Sequence, residues 1–341
     1  MKKILILGGT AWLGRTLCEQ ALARGHEVHA LARGSHEFAA GVQPIVADRS
    51  LPGPYEAASA HHWDLVVELT RDPAQARGAL EALSERAEHW VNVSSCSAYA
   101  DQSTPGADED NDVLEPLPPE TPEADYDYGR AKSYGEYITM EARGGRALVV
   151  RSGLIGGPGD PSGRSTYWPL RFSEERRPVL VPNDPRNELS VQIIDVRDLA
   201  AFILAAGLAG LHGQVNAVGE QTSLHDALRM AQAAGEGDRP SPSGMEPGVS
   251  SVPYDLTRLE ADDVNVWAGP RSLPLVPPPG PEHAGFARRS DARSLAMGLQ
   301  RRGLEETFVD IVRATPAGAV ASLNSGLSPD EEAALIAVSS G

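Results

Sequence analysis

The amino-acid sequence predicts an α/β fold built on a doubly wound parallel sheet, followed by a smaller and partly irregular C-terminal lobe. Short apolar runs alternate with helical patterns over the first 150 residues, which is the order of elements in such sheets. The runs are continuously apolar rather than alternating, so both faces of each strand are expected to be buried. The length of 341 residues exceeds that of a typical single domain and predicts the second lobe.

Six apolar runs are the predicted strands, and three helical patterns lie between them. The first helix is expected to end at Gly25, because glycine readily adopts the conformation that terminates a helix. The strands are predicted at residues 4–7, 28–31, 44–46, 65–69, 90–93 and 147–150, and the helices at about 12–24, 74–87 and 128–142.

Two stretches interrupt this alternation. Residues 101–125 are acidic and rich in proline, which predicts a loop. Residues 237–282 hold many Pro, Gly and Ser residues, so we expect an irregular lobe with one or two short elements. Near the C-terminus, Ser328 as N-cap, Pro329 at the first helical position and Glu331 in a capping box predict a short helix.

Composition limits the expected partners. The formal net charge of −17 argues against binding to nucleic acid or to an anionic membrane, both of which favour a basic surface. The two cysteines, Cys18 and Cys96, have neither the spacing of a disulfide framework nor that of a zinc site, so no metal is expected. The apolar run after Lys3 is too short for a signal peptide, and no 18-residue apolar stretch occurs. We therefore expect a cytoplasmic protein that binds a small molecule.

A glycine-rich segment, LILGGTAWLGRTL, joins the first predicted strand to the first predicted helix. Glycines let the backbone approach a pyrophosphate, and the N-terminus of the helix supplies N–H groups, so this context predicts a dinucleotide site of the Rossmann type. Ala11 stands where a central glycine is expected and would crowd the phosphate slightly. A tight turn without a ligand is the alternative. The predicted cofactor contacts here are Gly8, Gly9, Thr10, Ala11, Trp12, Leu13, Gly14 and Arg15.

The end of the second strand favours NADP(H) over NAD(H) as the cofactor. NAD sites usually place a carboxylate there, whereas NADP sites use arginine for the 2′-phosphate. This sequence has Ala32 followed by Arg33, and Arg15 could add a second cation; a solvated loop position for Arg33 is the alternative. The other predicted cofactor contacts lie near the ends of the third and fourth strands and are Asp48, Arg49, Leu69 and Thr70.

Lys132 is one of only three lysines in the chain, the others being Lys2 and Lys3. It lies four residues after Tyr128 at the start of a predicted helix, so the two side chains are expected on one helix face. Ser95, at the end of the fifth strand, completes a set of hydroxyl, phenol and ammonium groups that can transfer a proton.

In this prediction, the charge of Lys132 makes the Tyr128 phenol more acidic, and the ammonium also hydrogen-bonds the ribose of the nicotinamide. Tyr128 exchanges a proton with the substrate oxygen, which Ser95 holds. Arginine could not replace the lysine, because its planar guanidinium has a different reach and keeps its proton. Tyr126 is a competitor for the role of Tyr128, but the residue four positions after it is Arg130. A surface helix that carries a tyrosine and a lysine by chance is the alternative.

These motifs resemble the extended short-chain dehydrogenase/reductase superfamily, in particular its NAD-dependent epimerase/dehydratase family. The segments RSGLIGGPGD (151–160), QIIDVRDLAAFIL (192–204) and NAVG (216–219) extend the resemblance over most of the chain. The last of them is similar to a late strand that returns to the substrate lobe. The resemblance implies that the Ser–Tyr–Lys roles of the family fall on the three residues named above, with hydride moving to or from nicotinamide C4.

The resemblance also implies how the chain is divided. We expect a dinucleotide-binding Rossmann domain at residues 1–155 and a substrate-binding lobe at 156–325, from which residues at about 190–220 return to the Rossmann domain. A C-terminal helix is expected at 326–341. Two of the predicted helices pair into a dimer interface in many relatives, but their charged exposed faces here leave both a monomer and a homodimer open.

One departure from the family concerns the substrate. Sugar-nucleotide members commonly carry an asparagine shortly after the arginine of the sixth-strand segment, whereas the matching residue here is Leu154, which weakens the case for a nucleotide sugar. The predicted substrate contacts are Cys96, Leu154, Tyr167, Trp168 and Arg186.

The main hypothesis is an NADP(H)-dependent oxidoreductase that acts on a secondary alcohol or its ketone. It would run as a reductase or as an epimerase, and a sugar-like substrate is among the candidates. A catalytically silent NADP(H)-binding sensor or scaffold is the alternative, although such proteins typically lose the tyrosine or the lysine.

Overall fold

The computed structural model describes residues 1–174, 178–186, 188–237, 251–316 and 318–339. These residues form two compact units, each assembled from three separate segments of the chain. Unit 1 comprises Met1–Gly153, Val196–Val218 and Arg289–Arg301. Unit 2 comprises the described parts of Leu154–Asp195, Gly219–Arg288 and Arg302–Gly341.

The elements are numbered in chain order. The strands are β1 (Lys3–Leu7), β2 (Glu27–Ala32), β3 (Gln43–Val46), β4 (Trp63–Glu68), β5 (Ala87–Ser95), β6 (Ala147–Ser152), β7 (Leu154–Gly156), β8 (Val179–Asn183), β9 (Ser190–Asp195), β10 (Gly213–Ala217), β11 (Gln221–Ser223), β12 (Ser251–Asp255), β13 (Asn265–Trp267) and β14 (Ser272–Pro274). The helices are α1 (Trp12–Ala23), α2 (Glu56–Ser59), α3 (Pro73–Leu83), α4 (Tyr128–Arg143), α5 (Tyr167–Ser173), α6 (Val196–Leu208), α7 (Leu224–Glu236), α8 (Ala292–Ala296), α9 (Leu304–Ala314) and α10 (Pro329–Ser339).

Unit 1 is built on a seven-stranded sheet in the order β10-β6-β5-β4-β1-β2-β3, with every neighbouring pair parallel. All six predicted strands are present, and the central ones are buried along most of their length, as continuous apolar runs require. From β1 the chain adds β2 and β3 on one side and then β4, β5 and β6 on the other, so the sheet is doubly wound. The predicted α/β class is confirmed.

The NAVG segment overlaps β10, which extends this sheet. Gly213 pairs with Leu148 and Ala217 with Ser152, in parallel register along β6. The chain passes from this strand into unit 2 at Gly219, the last residue of the NAVG segment, in agreement with a late strand that returns to the second lobe. The backbone groups of the β6 edge need partners, and β10 supplies them.

Two aspartates determine where helices of unit 1 begin. The Asp72 carboxylate accepts hydrogen bonds from the backbone N–H groups of Ala74 and Gln75 and caps α3. The Asp127 carboxylate accepts from the Arg130 N–H at 2.7 Å and caps α4. The predicted loop at residues 101–125 is mostly irregular and contains one single-turn helix at Glu123–Asp125.

Unit 2 contains three small sheets, β11-β9-β7, β12-β8 and β13-β14, around an apolar core that includes α5, α7 and α9. The predicted C-terminal helix is confirmed as α10. In its capping box the Ser328 N–H donates to the Glu331 carboxylate at 2.8 Å, and the Glu331 N–H donates to Ser328 Oγ at 3.3 Å. Of the stretch predicted to be irregular, residues 238–250 lie outside the described residues.

A fully buried ion pair ties α10 into unit 2. Arg171 Nη2 lies 2.8 Å from Glu332 Oε2, and neither side chain is exposed. Glu332 Oε1 also accepts from the Leu180 N–H of β8 at 3.0 Å. Within the described residues, no helix combines the length and apolar character that crossing a bilayer requires.

Candidate active site

The glycine-rich segment forms a tight turn (residues 8–14, the glycine turn) between β1 and α1. Gly8 has a φ of 99°, a conformation that favours glycine, and its N–H donates to the Leu31 carbonyl at 2.9 Å. A Cβ on Gly9 would lie 2.4 Å from the Cβ of Ala30, and a Cβ on Gly14 would lie 2.2 Å from the Gly8 carbonyl oxygen. The close approach of α1 to β1 and β2 therefore requires glycine at these positions.

Ala11 is the N-cap of α1 and departs from the expected glycine without distorting the backbone. Its φ of −69° and ψ of 158° are ordinary extended values, and its side chain makes no capping hydrogen bond. An N-terminal helix turn without a side-chain acceptor is a usual site for a phosphate. The glycine turn thus fits the pyrophosphate of a dinucleotide. Of the other predicted contacts in the turn, Thr10 and Trp12 are half-buried and Leu13 is buried.

Arg33 follows β2 directly and is exposed, and no ion pair of its guanidinium occurs among the described residues. Arg15, by contrast, pairs with Glu19 at 3.0 Å. Hydrogen bonds from Ser50 lower the pKa of Asp48, and the charge of Arg33 adds to this effect. Arg33 and Asp48 therefore lie at the same edge of the sheet, and Arg33 is the better available cation.

Arg49 is one of the predicted cofactor contacts, but its guanidinium is engaged by other residues of unit 1. Its side chain is 8% exposed, and Nη1 and Nη2 donate to the Glu68 carboxylate at 2.9 and 2.5 Å. Nε donates to Tyr55 Oη at 2.8 Å, and Nη2 donates to the Gln75 carbonyl at 2.9 Å. The expectation is corrected, because these partners engage every nitrogen of the guanidinium inside unit 1.

The end of β4 brings the glycine turn and α4 together. The Leu69 N–H donates to the Leu7 carbonyl at 3.3 Å, and a Cβ on Gly8 would lie 3.5 Å from the Cβ of Leu69. The next carbonyl along, that of Thr70, accepts a hydrogen bond from Lys132 Nζ at 2.7 Å. Leu69 thus lies beside the glycine turn, and Thr70 contacts the lysine.

Lys132 is buried, with 6% of its surface exposed. Nζ donates to the Val93 carbonyl at 2.8 Å as well as to Thr70. Burial lowers the pKa of Lys132 to about 8, while the carboxylates of Glu68 and Glu136 act in the opposite direction. The wider, planar guanidinium of arginine would not fit between these two carbonyls and would not lose its proton.

Ser95 is the last residue of β5 and pairs with Ser97. Its Oγ accepts from the Ser97 N–H at 3.1 Å and donates to Ser97 Oγ at 3.2 Å. Ser95 is 9% exposed, whereas Ser97 is exposed. The sequence analysis missed Ser97. The spacing of two residues across the single-turn helix Cys96–Ala98 is the signal that could have indicated it.

Tyr128 is the first residue of α4 and is 41% exposed. A Cβ on the next residue, Gly129, would lie 2.3 Å from the Ser97 carbonyl oxygen, so glycine allows the start of α4 to contact the turn after β5. The competing Tyr126 uses its hydroxyl to donate to the Arg71 carbonyl at 2.9 Å. This contact favours Tyr128 as the tyrosine of the site.

A buried ion pair continues the face of α4 that carries Tyr128 and Lys132. Glu136 Oε2 lies 2.8 Å from Arg151 Nη2, and each side chain is 5% exposed. The Ser94 hydroxyl donates to the other oxygen of Glu136. Glu136 was expected among the charged residues on the exposed face of this helix, and this expectation is wrong, because Glu136 is buried against Arg151. Its spacing of four residues from Lys132 places it on the same face as the lysine.

Three predicted substrate contacts lie in the core of unit 2. Leu154 is 7% exposed, Tyr167 is 1% exposed and Trp168 is 0% exposed. The Trp168 indole N–H donates to the Pro274 carbonyl at 2.6 Å, and the two aromatic rings pack edge to face. The expectation that these residues border a substrate cleft is corrected, because they pack against other core residues of unit 2.

Of the two other predicted substrate contacts, Arg186 is exposed and Cys96 is half-buried. The Arg186 side chain is 80% exposed and lies 3.4 Å from a Glu188 oxygen. Cys96 is half-buried, and burial raises its pKa to about 12, which disfavours a reactive thiolate. In the part of the chain that the structure describes, no group of three or more His, Cys, Asp or Glu residues could hold a metal ion.

A family profile and a set of solved structures each match most of this chain. The sequence profile of the NAD dependent epimerase/dehydratase family matches residues 4–74 and 74–219. A search of the curated proteins finds no match. Similar solved structures include UDP-glucuronic acid 4-epimerase from Bacillus cereus in complex with NAD, which is 15% identical, covers 92% of this chain and 96% of its own, and has a TM-score of 0.61. UDP-N-acetylglucosamine 4-epimerase from Bacillus cereus is 15% identical, covers 92% of this chain and 99% of its own, and has a TM-score of 0.63. UDP-glucose 4-epimerase from Thermus thermophilus in complex with NAD is 19% identical, covers 92% of this chain and 98% of its own, and has a TM-score of 0.59.

At these identities the solved structures show a shared fold. The family profile covers more than half of the chain and includes the glycine turn, Ser95, Tyr128 and Lys132. This chain belongs to the NAD dependent epimerase/dehydratase family.

Proposed function

We propose that this protein is an NADP(H)-dependent oxidoreductase that acts on a secondary alcohol or its ketone, with Ser95, Tyr128 and Lys132 as its catalytic residues. One observation carries the proposal. The hydrogen bond of 2.7 Å from Lys132 Nζ to the Thr70 carbonyl joins the helix that begins with Tyr128 to the residues beside Gly8. A dinucleotide at the glycine turn and a substrate oxygen at Tyr128 would then share the carboxyl edge of the sheet, where open α/β sheets bind ligands.

A bound nicotinamide would supply or accept the hydride. In the oxidation direction, Tyr128 as phenolate takes the hydroxyl proton of the substrate while hydride leaves the same carbon, so a ketone forms. In reduction, Tyr128 returns the proton to the oxygen. Lys132 stabilises the phenolate by its positive charge, and its pKa of about 8 keeps it mostly charged at neutral pH.

Lys132 can also contact the cofactor. An ammonium carries three N–H donors, and two of them are used by backbone carbonyls of the described residues. The third is available to a ribose hydroxyl. Ser95 and Ser97, which are linked to each other by hydrogen bonds, would hold the substrate oxygen in place.

The end of β2 supports NADP(H) as the preferred cofactor. Ala32 replaces the carboxylate that would bind a ribose diol, and the exposed Arg33 can bind a 2′-phosphate. NAD(H) is the second candidate, because two of the similar epimerases named above are in complex with NAD.

The reaction is a reduction or an epimerisation. An epimerase oxidises and re-reduces one carbon while it keeps the cofactor, whereas a reductase exchanges it. The names of the similar structures support a sugar-like substrate, while Leu154 argues against a nucleotide sugar. Substrate binding by unit 2, a cytoplasmic location and a monomeric or homodimeric state stay predictions.

Fluorescence titration tests the cofactor assignment. Trp12 lies in the glycine turn, so we expect NADPH to quench tryptophan fluorescence and to bind more tightly than NADH. Arg33→Ala should lower the ratio of the affinity for NADPH to that for NADH by at least about 10-fold, since a charge-assisted hydrogen bond to the 2′-phosphate is lost. Arg24→Ala, an exposed arginine at the opposite end of α1, is the control. Equal binding of the two nucleotides that Arg33→Ala leaves unchanged would contradict the NADP assignment.

Cofactor exchange and turnover test the reaction class. NADPH that binds, exchanges freely and reduces a member of a ketone panel supports a reductase. Oxidised cofactor that co-purifies and does not exchange supports an epimerase. If the cofactor binds but neither the unmodified protein nor Tyr128→Phe turns over any member of the panel, the result supports the silent sensor.

A further inference from the structure

Glu68 is a buried carboxylate beside the candidate active site. It is the last residue of β4 and is 2% exposed. Its oxygens accept two hydrogen bonds from the Arg49 guanidinium and one from the Thr70 N–H at 2.9 Å. A carboxylate at this depth is tolerated because a cation and a backbone donor both satisfy it.

The same pair fixes the turn of residues 68–72. Thr70 Oγ1 donates to the Gln75 side-chain oxygen at 3.1 Å and accepts from the Asp72 N–H at 3.1 Å. Arg49 donates to the Gln75 carbonyl from the other side. The Thr70 peptide is therefore held through its N–H by Glu68, and its carbonyl is presented to Lys132 at 2.7 Å.

Glu68 also acts on Lys132 through its charge. Three charged groups face the ammonium: Glu68 at the end of β4, Glu136 one turn further along α4, and Arg71 in the 68–72 turn. Burial lowers the pKa of Lys132, and Glu68 is the strongest of the opposing influences. Arg71 adds to the lowering.

We propose that Glu68 is a positioning residue for Lys132, because together with Arg49 it fixes the turn that presents the Thr70 carbonyl and places a negative charge near the ammonium. The catalytic importance of this arrangement rests on the proposed function. The arrangement itself is tested without any substrate.

The scarcity of lysine makes a direct test simple. Protein labelled with 13C at lysine Cε gives signals from Lys2, Lys3 and Lys132, and the shift of each signal with pH gives its titration midpoint. Glu68→Gln keeps the size of the side chain and an acceptor for Thr70, but removes the charge. We expect the midpoint of Lys132 to fall by about one pH unit, while Lys2 and Lys3 do not move.

Glu332→Gln is the matched control. It removes a carboxylate from another buried arginine–glutamate pair, in unit 2, so it should also destabilise the protein, yet leave the Lys132 midpoint unchanged. An unchanged midpoint in folded Glu68→Gln would overturn the proposal. An equal shift in both variants would overturn it too, because the shift would then reflect general loosening.

A second variant covers the case that Glu68→Gln does not fold. The double variant Arg49→Leu/Glu68→Leu replaces the buried pair with apolar side chains, an exchange that proteins often tolerate. We expect its Lys132 midpoint to be lower than in the unmodified protein. A normal midpoint in this variant would also overturn the proposal.

Turnover separates this proposal from the proposed function. If Lys132→Ala keeps normal turnover, the catalytic assignment fails, while the titration still decides the role of Glu68. If Lys132→Ala is inactive but Glu68→Gln changes neither the midpoint nor the pH profile of kcat/KM, Glu68 is not a positioning residue and the catalytic assignment stands.

Discussion

Besides Arg49–Glu68, unit 1 buries a second arginine–glutamate pair, and its geometry is nearly the same as that of the buried pair in unit 2. The N–O distance is 2.8 Å both for Arg151–Glu136 in unit 1 and for Arg171–Glu332 in unit 2. Their surroundings differ. Glu136 lies one helical turn after Lys132 and accepts from a serine hydroxyl, whereas Glu332 bonds a backbone N–H of β8 within an apolar core. The pair in unit 1 adjoins Lys132, which we propose as a catalytic residue, and the pair in unit 2 joins α10 to α5 and β8.

Burial and pairing alone therefore do not reveal what an ion pair does. Removing one partner of either pair leaves an uncompensated charge and destabilises the protein. In unit 1, changes at the carboxyl edge of the sheet should affect chemistry more than stability, while changes in the core of unit 2 should do the reverse.

The largest effect is expected from Tyr128→Phe. Loss of the phenol proton carrier should lower turnover by about 10³-fold, while the melting temperature stays the same because Tyr128 is 41% exposed. Steady-state kinetics and thermal melting measure the two quantities. Tyr126→Phe is the control and should keep most of the turnover. Normal turnover in Tyr128→Phe would show that the tyrosine is assigned wrongly.

Glu332→Ala should have the largest effect on stability. It leaves Arg171 buried without its carboxylate, and we expect the free energy of unfolding in urea to fall by about 3–5 kcal/mol. The neighbouring Glu331→Ala removes one half of the capping box and should cost about 1 kcal/mol. Equal losses in the two variants would contradict the role given to the buried pair.

Gly14→Ala should weaken cofactor binding. Its Cβ would lie 2.2 Å from the Gly8 carbonyl oxygen, so α1 must move away from the glycine turn. Overpacking of this kind costs about 1–3 kcal/mol, and we expect the Kd for NADPH to rise by about 10-fold or more. A Cβ on Gly145 would have no atom within 4 Å, so Gly145→Ala is the control. Unchanged binding by Gly14→Ala would place the nucleotide elsewhere.

The smallest effect concerns pH. Burial lowers the pKa values of His26, His61 and His89 in unit 1. The folded state therefore binds fewer protons than the unfolded state, and stability should fall as the pH drops below the usual histidine pKa of about 6.5. Melting temperatures at descending pH measure this loss. His89→Gln should reduce the slope, and the exposed His225→Gln should not. Equal slopes in all three proteins would contradict the assignment.

The sequence predicted the elements of unit 1 well because their signals are local. Continuous apolar runs indicate buried strands, glycine spacing indicates a turn, and a tyrosine four residues before a lysine indicates a shared helix face. Interactions between distant segments have no such signal. The pairing of Arg49 with Glu68 depends on how the segment after β3 reaches the end of β4, from which β1 and β2 separate β3 in the sheet. The sequence does not reveal this path, so Arg49 was predicted at the cofactor instead.

Two aromatic residues of unit 2 were assigned to a substrate site but belong to the core. Tyr167 and Trp168 were expected at a substrate cleft because open α/β sheets bind ligands beyond the carboxyl ends of their strands, but aromatic rings of this size are equally suited to a core. Gly326 makes room for Tyr167, since a Cβ there would lie 2.1 Å from the ring. That contact joins residues far apart in the chain, and the sequence alone does not reveal it.

The assembly of unit 1 from three segments has a consequence for how the chain is made on the ribosome. Its last segment holds Arg289, which donates to the Asp101 carbonyl at 2.6 Å and stacks on the ring of Tyr99. Until this segment has been synthesised, the acidic loop after Tyr99 lacks these contacts. The β6 edge is likewise unpaired until β10 has been made. A nascent chain with an open parallel edge is exposed to aggregation, so this protein is expected to depend on chaperones during translation more than one whose N-terminal domain is complete early.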